Sequence, residues 1–383
     1  MRAIILSAIL ATVSPGWVLA HTLPTPQAVD AEVRQAMTRT GARGLAIAVI
    51  NDGKVAYVQA YGVRNAQGEP LTVDTVMYGA SLTKTVFGYL VMQQVDKGKM
   101  ALDTSIADYL PQPLPAYHTP DIVNRYADWS ALDERWRKLT PRILLNHGSG
   151  FSNFGFLEPD EKLKFHFDPG TRYAYSGDGL ITLQFVMETG LSVDVGQAAD
   201  AVFLKLGMKR TSLIWRADFA TNLADGWDEN GKVEPHDERS KVRAAGSMDT
   251  TISDFSKFAA AYVRGDGLTP AGRAELVRPQ LPITTRSQFP SLQAELPVDQ
   301  RRKDLAAGLG VVVFDGPQGR GFMKGGHNDT TANTWVCIEK SKRCVVILSN
   351  DVRSEKAFAG LVTLVLGDTG VPYDWEYGFT PVQ

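Results

Sequence analysis

Apolar positions along the chain first follow a period of two. Residues 44–63, GLAIAVINDGKVAYVQAYGV, read as two apolar strands around Asp52-Gly53, a pair that tolerates the positive φ of a tight hairpin turn. The chain is therefore expected to open with sheet. From Ser81 the spacing becomes helical: Val86, Leu90 and Val95, with Tyr89 and Met92 beside them, lead to Gly98, a natural C-terminal stop. Between about 85 and 240, short helices mix with loops. There Thr140-Pro141 heads RILLNHGSG, with proline in the first turn, where its missing N–H costs nothing. Sheet signals return after about 244 in GLGVVVF (308–314), NTWVCI and CVVILS, and a final helix places Phe358, Leu361, Val362 and Val365 on one face before Gly367. Residues 284–304 are polar and uneven and read as a surface loop. The order sheet, helices, sheet implies one half built from both ends of the chain, about 25–80 and 244–383, with a helical half from about 85–240 inserted between.

Composition narrows the partners. With 383 residues, 44% of them apolar, the chain can bury a large core and hold two subdomains. Forty basic residues against 42 acidic ones, with no long run of one sign, leave no electrostatic footprint for nucleic acid. Residues 1–20 have the character of a signal peptide: Arg2, the apolar run IILSAILATV, a Pro15-Gly16 break and the small-residue stretch before His21. That run is too short to span a bilayer, so the mature domain, 21–383, is expected to be exported, periplasmic or secreted, without stable membrane insertion. Export permits a disulfide between Cys337 and Cys344, which face each other across the hairpin in WVCIEKSKRCVV. A two-residue turn at Lys340-Ser341 would put the pair at a hydrogen-bonded site; two buried free thiols are the alternative.

Candidate chemistry starts from Ser81-Leu82-Thr83-Lys84, the only S-x-x-K in the chain. Positions i and i+3 share a helix face, so the Lys84 amine can approach the Ser81 hydroxyl. A helix cap followed by a solvated lysine gives the same spacing. Two further stretches weigh against that bland reading: FDPGTRYAYSGDGL, which holds Tyr175, Ser176 and Gly177, and FMKGGHNDT, in which Lys324, Gly325 and Gly326 precede a strand.

Taken in order, S-x-x-K, the tyrosine motif and K-G-G resemble the serine β-lactamase and penicillin-binding family. Tyrosine at the start of the middle motif is similar to the class C branch, which includes β-lactamases, D-Ala-D-Ala carboxypeptidases and esterases. The resemblance runs from about Gly44 to about Asn350 and takes in LLNHGSGF and AAGSMDTTISDFSKF. It implies an α+β, β-lactamase/transpeptidase-like fold, an antiparallel sheet flanked by helices plus an inserted helical subdomain, with the site in the cleft between. It also implies Ser81 as nucleophile, a binding wall of Lys324, Gly325, Gly326 and His327, and an oxyanion hole from the backbone N–H groups of Ser81 and His327. The expected substrate is a small ester, amide or β-lactam. A ligand-binding or sensor domain of the penicillin-recognising type, without turnover, is the alternative.

The residues support a similar chemistry on their own. A serine attacks a carbonyl only if a base takes its proton, and neither a histidine triad motif nor a G-x-S-x-G elbow is evident. The base is then Lys84, Tyr175 or both. Lowering a phenol from about 10 to about 7 requires ~4 kcal/mol, and one ammonium at ~4 Å supplies about that much at an effective dielectric near 20. Tyr175 is assigned as general base, flanked by Lys84 and Lys324; a desolvated, neutral Lys84 stays open. Gly177 stands where β-lactamases and peptidases carry an asparagine, so activated short esters are expected to outrank cephalosporins, and Gly177→Asn to raise β-lactam turnover. Lys324 is expected to meet a substrate carboxylate. His147 reads as a structural residue at a helix end, and EPHDE (234–238) as a charged loop. No cofactor or metal is expected, and nothing in the sequence sets the oligomeric state.

Overall fold

The computed structural model describes residues 22–378, so the leader expected at 1–20 lies outside them. The described chain opens with helix rather than sheet. α1 (Pro26–Thr40) starts at Thr25, whose Oγ1 accepts from the Ala28 N–H at 3.2 Å, and stops at Gly41, in the left-handed region at φ 74°. It buries only Val29, Val33 and Ala36. So sparse a stripe on a charged helix is why the hydrophobic pattern passed it over.

The hairpin follows as expected: β1 (Gly44–Asn51) and β2 (Lys54–Gly62) pair around Asp52 and Gly53, at φ 48° and 68°. Short strands β3 (Met77–Tyr78), β4 (Gly226–Trp227), β5 (Val233–Glu234) and β6 (Asp249–Thr250) form two small ribbons. β7 (Leu281–Pro282), β8 (Leu305–Ala307), β9 (Val312–Gly316), β10 (Gly319–His327), β11 (Ala332–Ile338) and β12 (Arg343–Ser349) complete an antiparallel sheet in the order β2-β1-β12-β11-β10-β9-β8-β7. The GLGVVVF stretch is strand only from Val312; before it, the Gly308 N–H donates to Val311 O at 2.9 Å in a turn.

Alternation divides the sheet between two cores. Leu45, Ile47 and Val49 of β1, with Val345 and Ile347 of β12, face α1 and α9 (Glu355–Leu366), where Phe358, Leu361, Val362 and Val365 are buried. Ala46, Ala48 and Ile50, with Val346 and Leu348, face the other way, into a core shared with α2 (Thr83–Asp96) and α7 (Ile252–Arg264). That second core continues through α3 (Pro120–Arg125), α4 (Pro141–Leu145), α5 (Gly177–Gly190), α6 (Val195–Lys205) and α8 (Pro270–Leu276). The expected cap at Thr140 is present, accepting from the Ile143 N–H. Among the described residues, no helix is long and apolar enough to cross a membrane.

Cys337 and Cys344 are joined in a disulfide, which decides between the two alternatives. Their Cα atoms lie 4.1 Å apart, the close spacing of a non-hydrogen-bonded pair (~4.5 Å) rather than the ~5.5 Å of a hydrogen-bonded one. The turn explains the difference: it takes four residues, 339–342, and ends on Lys342 at φ 48°, instead of closing on two.

Candidate active site

The turn that carries Ser81 is held from below and from the side. Ala80 sits at φ 46°, a left-handed conformation that costs a non-glycine residue on the order of 1 kcal/mol, as the first residue of a short 3-10 turn (Ala80–Leu82) that runs into α2. β10 lies against it. A Cβ on Gly326 would stand 3.0 Å from Ser81 N and 2.9 Å from Gly79 O, so glycine is what lets the strand approach the serine.

Ser81 Oγ has two partners: Lys84 Nζ at 3.0 Å and the Tyr175 hydroxyl, which donates at 2.8 Å. Lys84 Nζ also donates to the Ala245 carbonyl. Lys84 and Lys324 both lie near the Tyr175 ring, 4.9 Å and 5.3 Å from its centroid. Lys324 Nζ donates to Gly325 O at 2.6 Å. The side chains singled out at 81, 84, 175, 324 and 327 thus meet in one cleft of about 1050 Å³, which Gly325 and Gly326 also line.

Burial governs their ionisation. It pushes the Lys84 amine well below the ordinary lysine range, with the Lys324 charge adding to the effect and Glu376 and Asp178 opposing it. Burial also lowers Lys324, again opposed by Glu376. Tyr175 moves the other way: burial raises it above its ordinary 10.0, the hydrogen bond to Ser81 opposes that, and the charge of Glu376 reinforces it. Burial and the Glu376 charge thus both oppose the phenolate that Lys84 and Lys324 were expected to favour. The expected phenolate allowed for desolvation opposing the two ammonium groups, but not for a nearby carboxylate, which the motifs did not announce.

That carboxylate is Glu376, on α10 (Tyr373–Tyr377), 6% exposed and lining the cleft. A Cβ on Gly325 would stand 2.2 Å from Glu376 Oε1, so the bare K-G-G backbone leaves the space Glu376 fills. The first glycine of K-G-G, Gly325, was the signal available in the sequence, and it reads only once α10 is placed.

Three more residues take unforeseen positions. The His147 ring stacks on Tyr175, with centroids 4.5 Å apart and planes at 29°, and Nδ1 accepts the Ser176 N–H at 3.1 Å; burial keeps its proton affinity well below the usual histidine value. Phe289, in the stretch expected to be a surface loop, lies 5.3 Å from the Tyr175 ring and 6.2 Å from that of His327. The loop is part of the cleft wall, tied to α10 through the Gln288 N–H to Trp375 O at 2.9 Å. At Gly177, a Cβ would strike the Phe154 ring at 2.4 Å, so Phe154 fills the space an asparagine side chain would need. His327 itself bonds Glu355 Oε1 through Nδ1 at 2.7 Å, which raises its proton affinity. In EPHDE, His236 Nε2 lies 3.0 Å from Asp249 Oδ1.

A sheet with helices on both faces, and a serine-lysine-tyrosine cleft against its β10 strand, define the class: this is the β-lactamase and penicillin-binding fold. A β-lactamase/D-alanine carboxypeptidase from Pseudomonas syringae superposes with a TM-score of 0.69 at 18% identity, over 89% of this chain and 98% of that one. The chain belongs to the β-lactamase family, whose model matches residues 29–367. A putative β-lactamase-like protein of Homo sapiens is 26% identical over 68% of this chain and 54% of its own length. Esterase EstB of Burkholderia gladioli is 26% identical over 52% of this chain and 55% of its own. The chain thus spans about half the length of the curated relatives it matches.

Proposed function

We propose that the protein is an exported serine hydrolase that forms an acyl-enzyme on Ser81 and hydrolyses small esters or amides. The observation that carries this reading is the placement of Lys84 Nζ and the Tyr175 hydroxyl on the same oxygen, at 3.0 Å and 2.8 Å, in an open cleft. Membership of the β-lactamase family and the likeness to an esterase support it.

With both groups neutral at rest, the steps balance as follows. The Lys84 amine takes the Ser81 proton as Oγ attacks the carbonyl carbon, and the carbonyl electrons move to oxygen, between the backbone N–H groups of Ser81 and His327. Collapse breaks the bond to the leaving group, which takes a proton from the Tyr175 hydroxyl. The Lys84 ammonium then returns a proton to Tyr175 through the vacated path. Water, deprotonated in turn by Lys84, attacks the acyl carbon; collapse breaks the bond to Oγ, which takes that proton from the Lys84 ammonium, and the acid leaves with Ser81 restored.

Ser81→Ala should abolish turnover of p-nitrophenyl esters while leaving the melting temperature unchanged, and a fluorophosphonate should add its mass to Ser81 in the wild type only. Release beyond one equivalent per protein separates an enzyme from a sensor that stops after one acylation. Near-wild-type rates in the alanine variant would remove Ser81 from the mechanism.

A further inference from the structure

Glu376 has no role in the chemistry just described, yet its surroundings are built around it. It is 6% exposed and lines the cleft. The strand opposite gives way to it: any side chain at 325 would collide with its Oε1. Its charge acts on Lys84, Lys324 and Tyr175 together, all three of which line the same cleft.

We infer that Glu376 is a specificity-determining residue that selects substrates bearing a cationic group on the leaving-group side of the scissile bond. The inference rests on Ser81 acting as the nucleophile and names the substrate class for that site. The wall formed by Lys324 and Gly325 was expected to receive a carboxylate. With a fixed carboxylate already beside it, a second one is repelled, and the Lys324 ammonium has its countercharge without substrate. A cation entering the same space finds an acceptor whose desolvation folding has already met, which is the preorganised arrangement that gives charge discrimination.

Three matched thioesters test this through thiol release: S-acetylthiocholine (cationic leaving group), S-(3,3-dimethylbutyl) thioacetate (its neutral isostere) and S-acetyl-3-mercaptopropionate (anionic). Wild-type kcat/KM should fall in that order, with at least tenfold between the first and the last. In Glu376→Gln, the cationic-to-anionic ratio should drop at least tenfold; a purely structural role would lower all three rates together and leave the ratio unchanged. An anionic substrate that matches or exceeds the cationic one in the wild type overturns the inference without any variant, as does an unchanged ratio in a Glu376→Gln protein that melts normally. Release from none of the three, with Ser81 also unlabelled by fluorophosphonate, sinks the catalytic reading itself, and this inference with it.

Discussion

In the proposed mechanism, Ser81 Oγ lies between Lys84 Nζ and the Tyr175 hydroxyl, and burial, which disfavours an ammonium and a phenolate alike, makes Lys84 the proposed route for the proton. That assignment has a pH signature. Lys84 acts as base only when unprotonated, so kcat/KM should rise with pH along an acid limb set by Lys84, below the ordinary lysine range. Tyr175→Phe should lower kcat by at least ~10²-fold, the usual range for removing an acid-base group, and keep that limb. Disappearance of the limb in the phenylalanine variant would return the base to Tyr175. Asp178 titrates separately. Burial raises it from 3.8 to about 7, with the Gly155 N–H and the charges of Arg243 and Lys84 opposing. The folded state therefore holds this proton more tightly than the unfolded chain, and stability present below about pH 4 is lost as pH rises toward 7. Between pH 5 and pH 8 in urea titrations, the wild type should lose up to ~3 kcal/mol relative to Asp178→Asn, at about 1.4 kcal/mol per unit. Equal pH dependence in the two proteins would show Asp178 ionised throughout. At this scale the sequence revealed the residues with fixed spacing, Ser81 with Lys84 and Lys324 through His327. It did not reveal Glu376, which comes from a short helix about fifty residues beyond Lys324, or the stacking of His147 on a tyrosine 28 positions on, because neither has a spacing to betray it.

At the scale of elements, strands and capped helices announced themselves where a periodic stripe met turn chemistry, as in the Asp52-Gly53 hairpin, Thr140-Pro141 and the buried face of α9. α1 had too few apolar positions, and residues 284–304 looked like solvent-facing loop because their anchors, Thr285 and Gln288, are polar side chains buried by α10. The start of α5 shows how packing bears on a prediction. Gly177 suggested an open position that an asparagine could fill to improve β-lactam turnover. Phe154 occupies it instead, and its ring stacks on Phe156 at 5.1 Å. Gly177→Asn is now expected to destabilise by ~1–3 kcal/mol, as overpacking does, and to leave nitrocefin turnover no better than wild type. Adding Phe154→Ala should restore much of that stability, since the two sites share one space. Calorimetry on the two variants checks this, and a fully stable single variant would mean that the ring yields freely.

For the whole molecule, the division into a sheet half and a helical half was legible because it follows from the order of periodicities, whereas the cleft walls follow from packing between segments far apart in the chain. The sheet is closed by partners from opposite ends: β1 pairs with β12 from Leu45 against Ser349 to Ile50 against Cys344. The Ser81 turn, in turn, leans on β10. Made from the N-terminus onward, a chain holds Ser81, Lys84 and Tyr175 long before it holds the strands that arrange them. Ribosome-bound chains halted at residue 300 should therefore take no fluorophosphonate label, while chains carrying residues 1–383 clear of the exit tunnel should; labelling of the shorter species would show a self-sufficient N-terminal part. A nucleophile ordered only when the last strands arrive would stay unarmed throughout its own synthesis, and the proposed export would keep it so until translocation ends.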